Sequence, residues 1–475
     1  MAGGPRAAHA AQGALRRRGH PHAPAVAVRG GRAGGSPLSG SASAGRSPAG
    51  ATPRPATFRE LFAVREFRPL FGTYLLSTIG DELARVALTV LVYQRTDSPL
   101  LSAITFAISY LPWLLGGPLL STLADRFPRH RVLIATDAAR ALLVAGMAIP
   151  GTPLPVLLGL LLVVAVCGPP FESARSALMA DVLDGDRYAL ATSLTNVGSQ
   201  VAQVLGFVLG GTLVAAFDPS AALLLDAATF AVSAVWLWAR LARRPAPDDG
   251  GDAEGPRSMW QDAAEGLRLI GRTPRLRAII AVTWVGTLFG TAPEGIAAPL
   301  VAQLGQGPTQ IGVLLAANPA GVTVGGLLIA RALTQQRREQ LVPGLVVLSL
   351  VPILIAGLVT VWGAPGQGAY AVVVALLFVA GLGASWTIPL NVAFVQAVPS
   401  AYRGRAFGVA VSGLYGVQGI GVLAAGAAAE GIAPGVVVAA VGGLGLLAVV
   451  PPLLGYGRTQ GHVAPASPPA GRSVT

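Results

Sequence analysis

The chain has no lysine: all 34 of its basic residues are arginine. A Walker phosphate loop requires a lysine, so direct ATP drive through such a loop is excluded. There is one cysteine, Cys167, and hence no disulfide within the chain. Charged residues make up only 12% of the sequence and hydrophobic ones 53%, a balance that excludes a water-soluble chain of this length. The five histidines lie outside the long apolar stretches, and neither HExxH nor GxSxG occurs. The common zinc-hydrolase and serine-hydrolase sites are therefore absent. No catalytic residue, metal or cofactor is expected.

What is present is a series of apolar segments of roughly 20 residues each, the length needed to cross a bilayer core of about 30 Å. They fall at 69–93, 99–123, 132–149, 154–174, 188–217, 220–241, 278–300, 310–333, 341–362, 369–394, 406–430 and 433–454. Arginine marks alternate gaps between them: Arg126, Arg129 and Arg131 after the second, Arg243 through Arg275 after the sixth, Arg337 and Arg338 after the eighth, Arg403 and Arg405 after the tenth. The intervening gaps carry only Arg95. The positive-inside rule places the arginine-rich gaps and both termini in the cytoplasm. The net charge of +12 sits mostly in these loops and the N-terminal tail, where topology and anionic lipid explain it, and it is not a nucleic-acid signature.

The expected organisation is an all-α membrane protein of twelve transmembrane helices in two six-helix bundles related by pseudo-two-fold symmetry. Residues 1–57 are rich in Ala, Gly, Pro, Ser and Arg, lack any acid and have no apolar core of a signal peptide; they read as a disordered cytoplasmic tail. The first bundle spans 58–242 and the second 278–456, followed by a cytoplasmic tail at 457–475. The linker 243–277 contains an amphipathic stretch with Trp260, Ala264, Leu267 and Ile270 on one side, the pattern of an interfacial helix.

The halves match locally. VLDGDRYALATSLTNVGSQVAQVLGFVLGG (182–211) aligns with VPSAYRGRAFGVAVSGLYGVQGIGVLAAGA (398–427), which places Arg187 on Arg403 and Gly210 on Gly426. Repeats of this kind belong to transporters with a central site between related bundles. The loop GGPLLSTLADRFPRHR (116–131) resembles the signature loop of the major facilitator superfamily, with Gly117, Asp125, Arg126, Arg129 and Arg131 in place and Pro128 where that family usually has Gly. FESARSALMADV, Arg187 and a Gly-rich fifth helix resemble its enterobactin and macrolide efflux branch. GFVLGG (206–211) resembles the antiporter motif, with Phe207 replacing the usual Pro. The resemblance implies an inner gate at the signature loop. In physical terms, the Asp125 carboxylate can pair with a nearby arginine or cap a facing helix N-terminus, latching the cytoplasmic side; the alternative is simple anchoring of the loop.

Charges inside a bilayer cost about 2.5–3.5 kcal/mol each at a helix centre, so each needs a reason. Asp81 and Arg85 share a face of the first helix, with Glu82 three residues from Arg85; they suit proton coupling, substrate recognition or a structural pair. Glu294 follows Pro293, where the seventh helix can break, and no basic residue is near it in sequence. Asp137, Arg140, Glu172, Arg175 and Asp181 are expected to form an inner ion-pair network, and Asp226 to be structural. Asn196, Gln200, Gln203, Asn318, Trp386, Asn391 and Gln418 are candidates for cavity lining, with interhelical hydrogen bonding as the alternative; Asn318-Pro319 is expected to interrupt the eighth helix. The function these features support is secondary transport by a plasma-membrane monomer, in which a proton drives efflux of a small amphiphilic molecule. An importer, or a non-transporting sensor or scaffold, remains the alternative.

Overall fold

The computed structural model describes residues 56–114, 127–245, 259–332, 335–399 and 402–460. Every regular element among them is helical. In chain order these are α1 (Phe58–Ala63), α2 (Phe67–Thr96), α3 (Pro99–Ile108), α4 (Arg129–Met147), α5 (Leu154–Val166), α6 (Gly168–Val182), α7 (Gly185–Ala216), α8 (Pro219–Arg240) and α9 (Met259–Arg272). There follow α10 (Pro274–Thr291), a 3-10 turn (Ala292–Ile296), α11 (Ala297–Gln303), α12 (Pro308–Ala332), α13 (Gln335–Trp362), α14 (Gln367–Ala384), α15 (Thr387–Ala397), α16 (Arg403–Ala429) and α17 (Pro434–Gln460).

Proline does much of the punctuation. Pro99, Pro219 and Pro274 stand in the first turn of their helices, where the missing N–H would have had no intrahelical partner. Asp97, left-handed at φ 51°, ends α2, and Ser98 caps α3 by accepting from the Leu101 amide. Asp218 caps α8, accepting from the Ser220 amide at 2.8 Å; that bond and the Ser220 hydroxyl hold its carboxyl below the usual range.

Among the described residues, nine spans are long and apolar enough to cross a bilayer. Three of the twelve expected segments are not among them. α2 carries Asp81, Glu82 and Arg85, α4 carries Arg129, Arg131, Asp137 and Arg140, and the segment opened by α3 is described only to Leu114. Large apolar side chains face outward, with Leu142, Leu447 and Trp362 exposed by 76, 72 and 79%. That surface suits hydrocarbon, which in turn requires the backbone to satisfy its own hydrogen bonds in helices.

The seventh segment does break at Pro293, as α10, the 3-10 turn and α11. The eighth does not: α12 runs on through Pro319, because losing one i→i−4 bond can be offset by packing against neighbouring helices. The fourth and tenth segments each divide, at Cys167 and at Ser385–Trp386. In the linker helix α9, Ile270 is buried, but Leu267 is 57% exposed and does not share its burial.

The apolar cores are distributed unevenly. One cluster joins both halves of the chain, with Leu83, Phe106 and Phe207 packed in the same core as Ala297, Ile311 and Val422. The others draw on residues of one half each. The joining cluster lies toward the arginine-poor gaps. There α7 meets α12 backbone to backbone. A Cβ on Gly312 would overlap the Phe207 carbonyl oxygen, and one on Gly211 would lie 2.9 Å from the carbonyl oxygens of Pro308 and Thr309. The Gly-rich run 206–211 is thus a contact surface, since small residues let membrane helices approach closely enough for dispersion forces to hold them.

Candidate functional site

One face of α2 builds the site. Tyr74, Ser77, Thr78, Asp81 and Arg85 recur at three- and four-residue spacing, and all line a cavity of ≈390 Å³. α4 adds Arg140, α6 adds Phe171 and Glu172, and α8 adds Asp226; Trp113 closes one side and Tyr415 of α16 reaches in from the other half. Trp113 and Tyr415 stack with ring centroids 5.0 Å apart.

The charges are arranged in pairs and shared contacts. Arg85 pairs with Glu82 at 3.0 Å, and its guanidinium lies 5.4 Å from the Phe106 ring centroid. Asp81, Tyr110 and Glu294 also face it. Glu294, brought by the 3-10 turn from the other half of the chain, faces Arg85 and Tyr110. Gly206 of α7 makes room for this group: a Cβ there would lie 2.7 Å from that of Glu82. Arg140 is held 3.8 Å from Asp137, with its guanidinium 5.1 and 5.3 Å from the Phe171 and Phe230 ring centroids. Asp137 is fully buried and accepts from Ser233.

The placement of the expected site residues is therefore mixed. Asp81, Arg85 and Glu294 come together, and Glu294 is not remote from a base as its sequence neighbourhood suggests, because Arg85 arrives from another helix. The five residues Asp137, Arg140, Glu172, Arg175 and Asp181 do not form one network. Asp137–Arg140 and Glu172–Arg175 (2.5 Å) are separate pairs, and Asp181 pairs with Arg129. Arg140 and Glu172 line the cavity instead. The polar residues proposed for the lining do not line it: Asn196 and Asn391 are exposed, Gln200, Gln203, Asn318 and Gln418 are partly buried elsewhere, and Trp386 is buried against Gly286. Asp226, expected to be structural, does line it. Arg131 is exposed, and Gly117, Asp125 and Arg126 lie outside the described residues.

A contact with no signal in the sequence closes the arginine-poor end. Glu430, just beyond α16, accepts from the Ser98 hydroxyl at 2.5 Å and the Leu100 amide at 2.9 Å. A carboxylate from one half thus caps the α3 N-terminus of the other, where the helix dipole is positive. The two donors hold the Glu430 carboxyl below its ordinary range. A depressed value means that the cap is fully present above the ordinary glutamate value of about 4.3 and is lost as pH falls through the lower one. With Cys167→Ala and Ala107→Cys as the background, Glu430→Ala should therefore raise the rate at which an impermeant maleimide labels the introduced thiol about tenfold at neutral pH. Labelling without this substitution should stay slow at neutral pH. Equal rates at neutral pH would show that the cap does not hold this end closed.

Residues 70–294 match the Major Facilitator Superfamily. The chain is 26% identical to the uncharacterized MFS-type transporter YfiS of Bacillus subtilis, over 75% of this chain and 86% of that one. It is 26% identical to the multidrug efflux pump Tap of Mycobacterium tuberculosis over 76% and 86%, and 19% identical to macrolide efflux protein A of Streptococcus pyogenes over 72% and 84%. Its fold is similar to the crystal structure of a POT peptide transporter, with a TM-score of 0.66 at 16% identity, covering 85% of this chain and 96% of that one. Residues 70–294 thus carry a Major Facilitator Superfamily domain, and the relatives that match about three quarters of the chain are MFS-type transporters and efflux pumps.

Proposed function

We propose that this transporter exports a small amphiphilic molecule in exchange for protons, by alternating access between two six-helix bundles at 58–242 and 278–456, with both termini cytoplasmic. Nine apolar spans together with α2, α3 and α4 support twelve crossings. The observation that carries the coupling is the shared arginine. Arg85 faces Glu82 and Asp81 on its own helix and Glu294 from the other half, so the protonation state of Glu294 changes what Arg85 binds and how firmly the halves are joined. A proton on Glu294 frees Arg85 for the α2 acids, and its loss draws the halves together again. This gives the ligand and the proton differential affinity for two states, as coupled transport requires. Asp125 in the signature loop is assigned the opposite, cytoplasmic latch.

Export of this kind is read in inside-out vesicles with an acid interior. Vesicles carrying the chain should accumulate ethidium or erythromycin only while the gradient lasts, and the added compound should dissipate the gradient. Accumulation indifferent to the gradient would overturn proton coupling, and accumulation confined to right-side-out vesicles would mean import.

A further inference from the structure

Three of the acids around the interior already have an arginine: Glu82 has Arg85, Asp137 has Arg140 and Glu172 has Arg175. Among the described residues, Asp226 has none of its own. It is 1% exposed and receives Thr229 Oγ1 at 3.3 Å, and its charged neighbours are Asp81, Asp137 and the already engaged Arg140. Gly80 permits this placement, since a Cβ there would overlap the Asp226 carboxylate. Asp81, next along α2, meets Arg140 and Arg85 only as a second acid on each. Two carboxylates therefore share one corner of the cavity with less positive charge than they need. Beside them Ser77, 3% exposed, lines the cavity with a hydroxyl that has no hydrogen-bond partner among the described residues. The same cavity is lined by three aromatic side chains, Trp113, Phe171 and Tyr415.

We propose that Asp226 and Asp81 form the binding corner for the positive charge of the transported molecule, so that the substrate is a lipophilic monocation whose apolar body lies against Trp113 and Tyr415. A buried carboxylate pair is costly unless a cation or proton compensates it, and aromatic faces attract the same charge. A cavity of ≈390 Å³ has the size of a site for a drug-sized ligand. The assignment rests on the reading of this cavity as the transport site, and it specifies the sign of the substrate's charge and adds Asp226 to the residues that recognise it.

Equilibrium binding to the purified full chain in detergent, with no gradient, tests it separately from coupling. The probes are tetraphenylphosphonium, a permanent cation that carries no exchangeable proton, and uncharged triphenylphosphine oxide. The wild type should prefer the cation by about tenfold or more. Asp226→Asn should remove most of that preference and leave the oxide unchanged, and Asp226→Glu should keep it. Equal binding of the two probes by the wild type, or no binding of the cation at millimolar concentration, overturns the proposal even if Asp226→Asn does not fold. Undiminished cation binding by a folded Asp226→Asn protein overturns it too. A chain that binds the cation but moves it without regard to a proton gradient would refute the coupling and leave this site standing.

Discussion

Glu294→Gln should leave exchange of substrate across the membrane intact and abolish its accumulation against a gradient. The carboxyl sits on the 3-10 turn that Pro293 opens in the seventh segment, facing Arg85 and Tyr110 across the boundary between the halves. Glutamine keeps the shape but cannot carry a proton, so the link between proton and conformation is cut while the cavity persists. One proton exchanged for one substrate sustains about a tenfold gradient per pH unit, or about 1.4 kcal/mol, and the variant should hold none of it. Asp81→Asn should instead weaken both exchange and accumulation, because it alters the cavity wall where the substrate binds. Counterflow and gradient-driven uptake in the same proteoliposomes separate the two outcomes. Uphill accumulation that survives Glu294→Gln but is lost in Asp81→Asn, with exchange retained, would reverse the two roles.

The largest effect on stability should come from Arg140→Leu. Asp137 is wholly buried, and Asp81 and Asp226 lie within the same guanidinium's field. Removing one partner of a buried pair leaves an uncompensated charge and costs about 3–5 kcal/mol, more than the pair itself contributes. The Phe171 and Phe230 rings, whose centroids lie 5.1 and 5.3 Å from the guanidinium, would also lose this cation. Thermal unfolding in detergent should fall well below that of the wild type. Arg140→Lys should be intermediate, since a compact ammonium stacks less well on aromatic rings than a planar guanidinium. Adding Asp137→Asn to Arg140→Leu should restore part of the loss by removing one orphaned charge. An Arg140→Leu protein as stable as the wild type would mean that the acids are compensated by some other group.

Little of this interior could be read along the chain. Periodicity within one helix does place Tyr74, Ser77, Asp81 and Arg85 on one face, and the i, i+3 spacing of Glu82–Arg85 and Glu172–Arg175 predicts those pairs. Polar residues in apolar helices carry a weaker signal. Asn196, Gln200 and Gln203 look like lining, yet which way a helix turns in the bundle depends on neighbours that hydropathy does not identify. Asp226 reads as structural for the same reason, as nothing near it in sequence tells a cavity acid from a structural one.

Composition, the length of the apolar runs and the alternation of arginine by themselves determined the class and an expected orientation, because a bilayer imposes a fixed thickness and a requirement for internal hydrogen bonds on any chain that crosses it. The run 206–211 resembled an antiporter motif, which names no packing partner. Only the tertiary structure decided that Gly211 meets Gly312, that Glu294 shares Arg85 with Glu82, that Asp181 belongs to Arg129, and that Glu430 caps a helix from the other half of the chain. These are contacts between segments far apart in sequence. Their energies depend on distance and burial in space, and no local pattern of residues encodes which two helices will meet.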